Sequence, residues 1–296
     1  MPNQTALGQT RERAEVLRRL HTESGLLVLV NVWDVASAQA VAAAPGCQAV
    51  ATASAAIAAA HGYPDGERIP VELMLAAVGR VAAAVDLPTT ADLESGYGEV
   101  ATTIRRAVQL GVAGANLEDA LRPLPTAVRM VEQAVRAAAA EGVPLVLNAR
   151  TDRYLQPQGQ PPAALLADAL QRGQAFLDAG ADCVFVPGCT DPDAISTLVD
   201  RFGPGRLSLL AVPGLPAPEQ LLRLGVARLS HGPAPHRHAL TRPHRPGSRP
   251  PSHHDHRRLD TAHLGSRPPR PTPLLDPPSR MTMVCRDGAR SWRMVG

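Results

Sequence analysis

The chain reads as an α/β protein built as a (β/α)8 barrel of the TIM type. Short apolar runs alternate with Ala-rich helical runs from Leu26 to Gly232. The strand runs are apolar almost throughout, as strands buried on both faces must be. Eight such units follow one another in roughly 210 residues, which suits a closed barrel better than an open doubly wound sheet.

Taken in order, Thr10–Leu20 predicts a short amphipathic helix inside an N-terminal segment, residues 1–24. The barrel occupies residues 25–240. Its strands are expected at Leu26–Val32, Ala49–Ser54, Thr89–Glu94, Gly114–Glu118, Leu145–Arg150, Cys183–Pro187, Leu207–Val212 and Arg228–Ser230. Between them, helical patterns run over Val35–Ala44, Val71–Val85, Val100–Leu110, Pro125–Ala140, Pro162–Ala179, Asp193–Phe202 and Pro216–Leu224. Several open on a proline, whose missing N–H costs nothing in a first turn. Gly111, Gly142 and Gly180 follow helix ends and act as stops.

From about His231 the character changes. Residues 241–296 are rich in Arg, Pro and His with no apolar period, and such a segment cannot bury enough surface to offset its ordering entropy. An irregular, disordered tail is expected there. An out-of-frame reading of GC-rich DNA would give this mixture. The last barrel helix pattern dies near Leu240, where Pro243, Pro246, Pro250 and Pro251 forbid a long regular helix.

Composition narrows the chemistry. Hydrophobic residues make up 45% of the 296 residues and aromatics only 3%, so the core is aliphatic. All 30 basic residues are Arg, which removes Schiff-base chemistry and every lysine-dependent mechanism. Cys47, Cys183, Cys189 and Cys285 are scattered and imply no disulfide. The N-terminus is polar and no apolar run reaches the roughly 18 residues of a membrane span. A cytoplasmic location without a membrane partner is the expectation. The net charge of +3 comes from the tail. That tail has Trp292 as its one aromatic, too little for base stacking, so no nucleic-acid partner is expected.

The polar residues gather at strand ends. Asp92 and Glu94 sit two apart at the end of one expected strand, and Glu118-Asp119 end the next. Thr52 and Ser54, then Asn148 and Arg150, do the same on their strands. Like charges held together need an offset, and hard oxygen ligands suit Mg²⁺ or Mn²⁺. A solvated acidic turn explains one such pair but not two in succession. Arg150 offers a planar fork for a carboxylate. Its alternative is a structural salt bridge to Asp152 or Glu118.

Six blocks in order resemble the isocitrate lyase/phosphoenolpyruvate mutase superfamily: Asn31–Ala38, Ala51–Ile57, His61–Glu67, Ala91–Gly98, Asn116–Asp119 and Asn148–Asp152. The nearest branch is its bacterial mutase-like lyases. The resemblance implies an enzyme that makes or breaks a C–C or P–C bond in a small 2-oxo or 2-hydroxy carboxylate, through an enolate held on Mg²⁺ or Mn²⁺. It implies Asp92 as the direct metal ligand, with Glu94 and Glu118 holding metal-bound waters. Arg150 would pair with the substrate carboxylate. Thr52, Ser54, Ala55 and Asn148 would line the pocket, and Asp65 would lie close to the metal. Tyr97 is the candidate for a substrate-side hydroxyl, ahead of His61. Trp33 and Asp34, which begin a helix, read as structural. A homo-oligomer built by exchanging the last helix is implied for the family, and this C-terminus compromises it.

The alternatives are a hydrolase or decarboxylase of a small oxoacid, or a barrel impaired by loss of the gating loop. The family's lyases carry that loop after the Asn-Leu-Glu-Asp strand, with Lys, Cys and His. Here Ala120–Thr126 is short and has none of them. Cleavage of isocitrate and methylisocitrate is therefore expected to be undetectable in a product assay. Clear turnover of either substrate would show that another residue supplies the proton.

Overall fold

The computed structural model describes residues 4–23, 25–241, 280–286 and 289–295. Residues 1–243 and 244–296 form separate units. The N-terminal helix α1 spans Gln4–Thr22, longer at both ends than the expected Thr10–Leu20. The first expected strand, Leu26–Val32, is split at Val30 into β1 (Leu27–Leu29) and β2 (Asn31–Val32). The order then runs α2 (Val35–Ala42), β3 (Val50–Thr52), α3 (Ser54–Ala60), α4 (Val71–Ala83), β4 (Thr89–Asp92), α5 (Val100–Gln109) and β5 (Gly114–Glu118). It continues through α6 (Leu124–Ala140), β6 (Val146–Arg150), α7 (Pro162–Asp178), β7 (Cys183–Phe185), α8 (Pro192–Phe202) and β8 (Leu207–Leu210). α9 (Pro218–Leu224), β9 (Arg228–Ser230) and α10 (Ala234–Thr241) complete the first unit.

All strand pairs in this unit are parallel. The sheet runs β1-β9-β8-β7-β6-β5-β4-β3-β2. β1 and β2 belong to one extended run, so the two ends of that order meet at Val30. The first half pairs with β9 and the second with β3, and this is how the barrel closes. The short helix α3, absent from the expected pattern, starts two residues after β3 ends. Prolines occupy the first turns of α6, α7, α8 and α9 as expected.

Helix α1 covers the N-terminal end of the barrel. Ala14 and Leu17 are fully buried in the main core. Leu17 sits over Gly114, where an added Cβ would meet Leu17 Cδ2 at 2.6 Å and the Val146 carbonyl oxygen at 3.0 Å. Glycine is what lets the helix approach. Arg18 pairs with Asp182 at 2.8 Å, and Asp182 accepts from the Leu147 N–H at 2.8 Å, tying α1 to β6. No helix among the described residues is long and apolar enough to cross a membrane.

The second unit shows Arg280–Arg286 (β10) paired antiparallel with Ala289–Val295 (β11). In sequence they flank Asp287-Gly288, a strong two-residue hairpin signal that the tail's Arg/Pro/His composition masks. The expected disorder of Pro243–Ser279 lies outside the described residues.

His21 in the last turn of α1 is buried, and its Nδ1 donates to the Leu17 carbonyl at 2.8 Å. Burial first, then the charge of Arg228, lowers its pKa from 6.5 to about 4. The unfolded ring binds a proton more readily, so this contribution to stability is present above pH 6.5 and is lost as pH falls towards about 4. Urea unfolding across that window should show declining stability, with a shallower decline in His21→Gln. An equal slope in the two proteins would remove His21 as the cause.

Candidate active site

The C-terminal ends of the strands carry the ionisable side chains. Asp92 closes β4. Its Oδ2 accepts from the Ser54 hydroxyl at 2.8 Å and from the Ser54 N–H at 3.3 Å. Ser54 is the first residue of α3, so Asp92 caps that helix from a neighbouring strand. The Asp92 N–H donates to Thr52 Oγ1 at 3.1 Å. Thr52 and Ser54 thus spend their hydroxyls on orienting Asp92. Asp92 Oδ1 is buried with no hydrogen-bond partner. Ala55 is half-buried beside them.

The expected strand Thr89–Glu94 ends at Asp92. Glu94 has φ 49°, so the two-residue spacing does not place it beside Asp92. The turn does so instead, and the charge of Asp92 reaches Glu94. Glu94 Oε1 accepts from the Tyr97 hydroxyl at 3.0 Å, and Oε2 accepts from the Glu67 N–H. Glu67 Oε1 in turn accepts from Ser95 N at 3.0 Å, Ser95 Oγ at 2.8 Å and Tyr97 N at 2.7 Å. The two glutamates clasp each other's loops. Tyr97, also left-handed at φ 55°, is held by both. Burial, outweighing its hydrogen bonds, pushes Glu94 up to about 7. Burial and the facing carboxylates push the Tyr97 hydroxyl up as well. Asp65 is exposed on the turn before Glu67, close enough for its charge to reach Glu94.

Glu118 and Arg150 end β5 and β6 in direct register. Arg150 Nη1 meets Glu118 Oε2 at 2.8 Å and its Nε meets Asp152 Oδ1 at 2.6 Å. The salt bridges weighed as an alternative are both made. Nη2 has no hydrogen bond to the described residues, so one edge of the fork remains for an anion. Burial pushes Glu118 up to about 8 despite Arg150, with Asp152, Asp92 and Glu94 adding to it. Glu118, Asp152 and Asp92 thus face one guanidinium.

Asn148 lies one layer below Arg150 and is fully buried. Its Nδ2 donates to Asn116 Oδ1 at 2.8 Å and Ser208 Oγ at 3.3 Å. It supports the site's floor and offers no surface to a ligand here. His61 bonds Ile57 O from the end of α3, and Asp34 caps α2 with Ser37; both are structural in this fold.

Sequence reasoning passed over Glu67, whose partners are more than two dozen residues away. It also passed over His231, directly after β9. His231 Nδ1 donates to Leu29 O at 3.0 Å, so its neutral ring keeps the Nε2 lone pair free. The signal was available: a polar residue following the last strand, like those on β3 to β6.

A family model described as phosphoenolpyruvate phosphomutase matches residues 17–246. An uncharacterized protein of Mycobacterium tuberculosis is 34% identical over 223 residues, covering 73% of this chain and 81% of its own. The crystal structure of a candidate phosphonomutase from Burkholderia cenocepacia J2315 is 39% identical with TM-score 0.73, covering 78% of this chain and 95% of that one. An oxaloacetate decarboxylase of Pseudomonas entomophila is 28% identical over 169 residues, 55% of this chain and 58% of its own.

Glu67→Ala should release the Glu94–Tyr97 turn, because three donors lose one acceptor. A loss of about 1–3 kcal/mol in chemical unfolding is expected. No loss would mean that water replaces the carboxylate without cost.

Proposed function

The chain belongs to the phosphoenolpyruvate mutase/isocitrate lyase superfamily, and from that premise we propose that it is a divalent-cation-dependent lyase of a small 2-oxo carboxylate. Relatives in this superfamily include lyases, mutases and hydrolases. The observation that carries the proposal is Asp92 Oδ1, a buried carboxylate oxygen with no partner, beside Glu94, Glu118 and the half-committed Arg150.

These residues fit a hard cation. The oxygen donors suit Mg²⁺ or Mn²⁺, which would be held by one protein carboxylate, Asp92, with its other positions left to water and substrate oxygens. Glu94 and Glu118 would hold its outer shell. Such an ion supplies Lewis-acid stabilisation of negative charge on an oxygen next to the substrate carboxylate.

The chain's own residues then do the following. Arg150 Nη2 binds one substrate carboxylate, held rigid by Glu118 and Asp152. Thr52 and Ser54 fix Asp92. Tyr97, its hydroxyl proton held firmly, orients Glu94. With oxaloacetate, the C–C bond to the departing carboxylate breaks, its electron pair passes into the enolate of pyruvate, carbon dioxide leaves, and water returns a proton to carbon. No proton donor is required from Ala120–Thr126, which offers no thiol, imidazole or amine. Hydrolytic cleavage of the same class of acid is the competing outcome, and the product identifies it.

Oxaloacetate consumption with Mg²⁺ or Mn²⁺, followed by product analysis, tests the proposal. Asp92→Ala should abolish both Mn²⁺ uptake and turnover while the fold is kept. Arg150→Lys should weaken oxalate binding by about 1–3 kcal/mol, the scale of a lost charge-assisted bond. An Asp92→Ala protein that takes up Mn²⁺ as well as the parent would sink the assignment.

A further inference from the structure

The barrel interior holds a cation that the mouth chemistry leaves unused. Arg228 opens β9 and is only 1% exposed. Its Nη2 donates to Asn116 Oδ1 at 3.2 Å, an oxygen already accepting from Asn148. Its Nε and Nη1 have no hydrogen-bond partner. No carboxylate forms an ion pair with it among the described residues. An uncompensated buried charge costs several kcal/mol, so its surroundings must carry negative potential.

The structure offers that potential in one direction. Towards the N-terminal end the neighbour is His21, whose charged form Arg228 itself disfavours. Towards the mouth lies the carboxylate cluster. Asn116, the partner of Arg228, is in register with Asp92 and lies two residues before Glu118 on the same face of β5. The amide that Arg228 touches therefore lies level with Asp92, whose charge reaches the guanidinium, and one layer beneath Glu118. Up there Glu118, Asp152 and Asp92 share the guanidinium of Arg150.

We propose that Arg228 is the internal counter-charge of the carboxylate cluster, a positioning residue that sets the potential at the mouth from beneath. This rests on the cation-dependent reading of the site above. It predicts effects of opposite sign. A buried positive charge under the cluster opposes a metal cation and favours an anionic substrate. A residue needed only for packing would, when replaced, weaken both.

The test uses the full chain with Arg228→Met, which removes the charge but keeps length and apolar bulk, and Arg228→Lys, which keeps the charge. Mn²⁺ binding is measured on chelator-stripped protein by electron paramagnetic resonance. Oxalate binding is measured by calorimetry with and without Mn²⁺. Arg228→Met should bind Mn²⁺ roughly five- to thirty-fold more tightly and oxalate more weakly by a similar factor, the size Coulomb's law gives across one barrel layer. Arg228→Lys should stay near the parent in both. Weakening of both ligands together, or no change in either, overturns the proposal. Should Arg228→Met fail to fold by circular dichroism, Arg228→Gln takes its place with the same readings. If the parent binds no Mn²⁺, the metal reading falls separately. Arg228 is then judged on metal-free oxalate affinity, where loss in Arg228→Met with recovery in Arg228→Lys supports it and unchanged affinity refutes it.

Discussion

The five-residue ladder between β5 and β6 is the constraint on which the site depends. It pairs Gly114 with Val146, Asn116 with Asn148 and Glu118 with Arg150. One ladder thus builds three levels. The lowest leaves room for Leu17 of α1, the middle one holds the buried amides, and the top one holds an ion pair. On the other side of β5, Asp92 is carried to the level of the buried amides through its register with Asn116. A slip by one residue would turn all of these side chains to the helix layer.

That alignment concentrates carboxylates in a place with little water, and much of the surrounding structure answers it. Serine, threonine and backbone N–H groups orient Asp92. Glu94 and Glu67 exchange loops, each accepting from the other's segment. Glu94 and Glu118 are pushed up to about 7 and about 8, in both cases chiefly by burial. A divalent cation bound there, as proposed, would favour their ionised forms. Arg150 answers the cluster at the mouth and Arg228 answers it from beneath.

The short loop after β5 is held on both sides. Asp119 is 2% exposed; its Oδ1 accepts from Leu121 N and Asp152 N, and its Oδ2 meets Arg172 at 3.1 Å. Arg122 reaches across to Ser95 Oγ at 3.1 Å, joining this loop to the Glu67 clasp. Ala120 and Leu121 both take positive φ, 44° and 52°. Such strain persists only where neighbours enforce it. Pinned in this way, the loop is a rim of the mouth, which agrees with chemistry that draws on metal, guanidinium and water.

The sequence by itself determined the barrel, its family and the end of it where the polar residues gather. Period and punctuation are local properties, so alternating apolar runs, first-turn prolines and terminal glycines marked the elements within a few residues. Polar residues at the ends of successive strands marked the mouth, because parallel strands all end on one side. Tertiary structure decided what each group does there. Asp92 was read with Glu94 through a strand period, yet a left-handed turn and Glu67 bring them together. Thr52 and Ser54 were read as pocket lining, yet they orient Asp92 through α3, a helix too short to announce itself. Asn148 sits a layer too deep to touch a ligand. Arg228 looked like any arginine opening a strand, since burial and the lack of a partner arise only when the barrel closes around it.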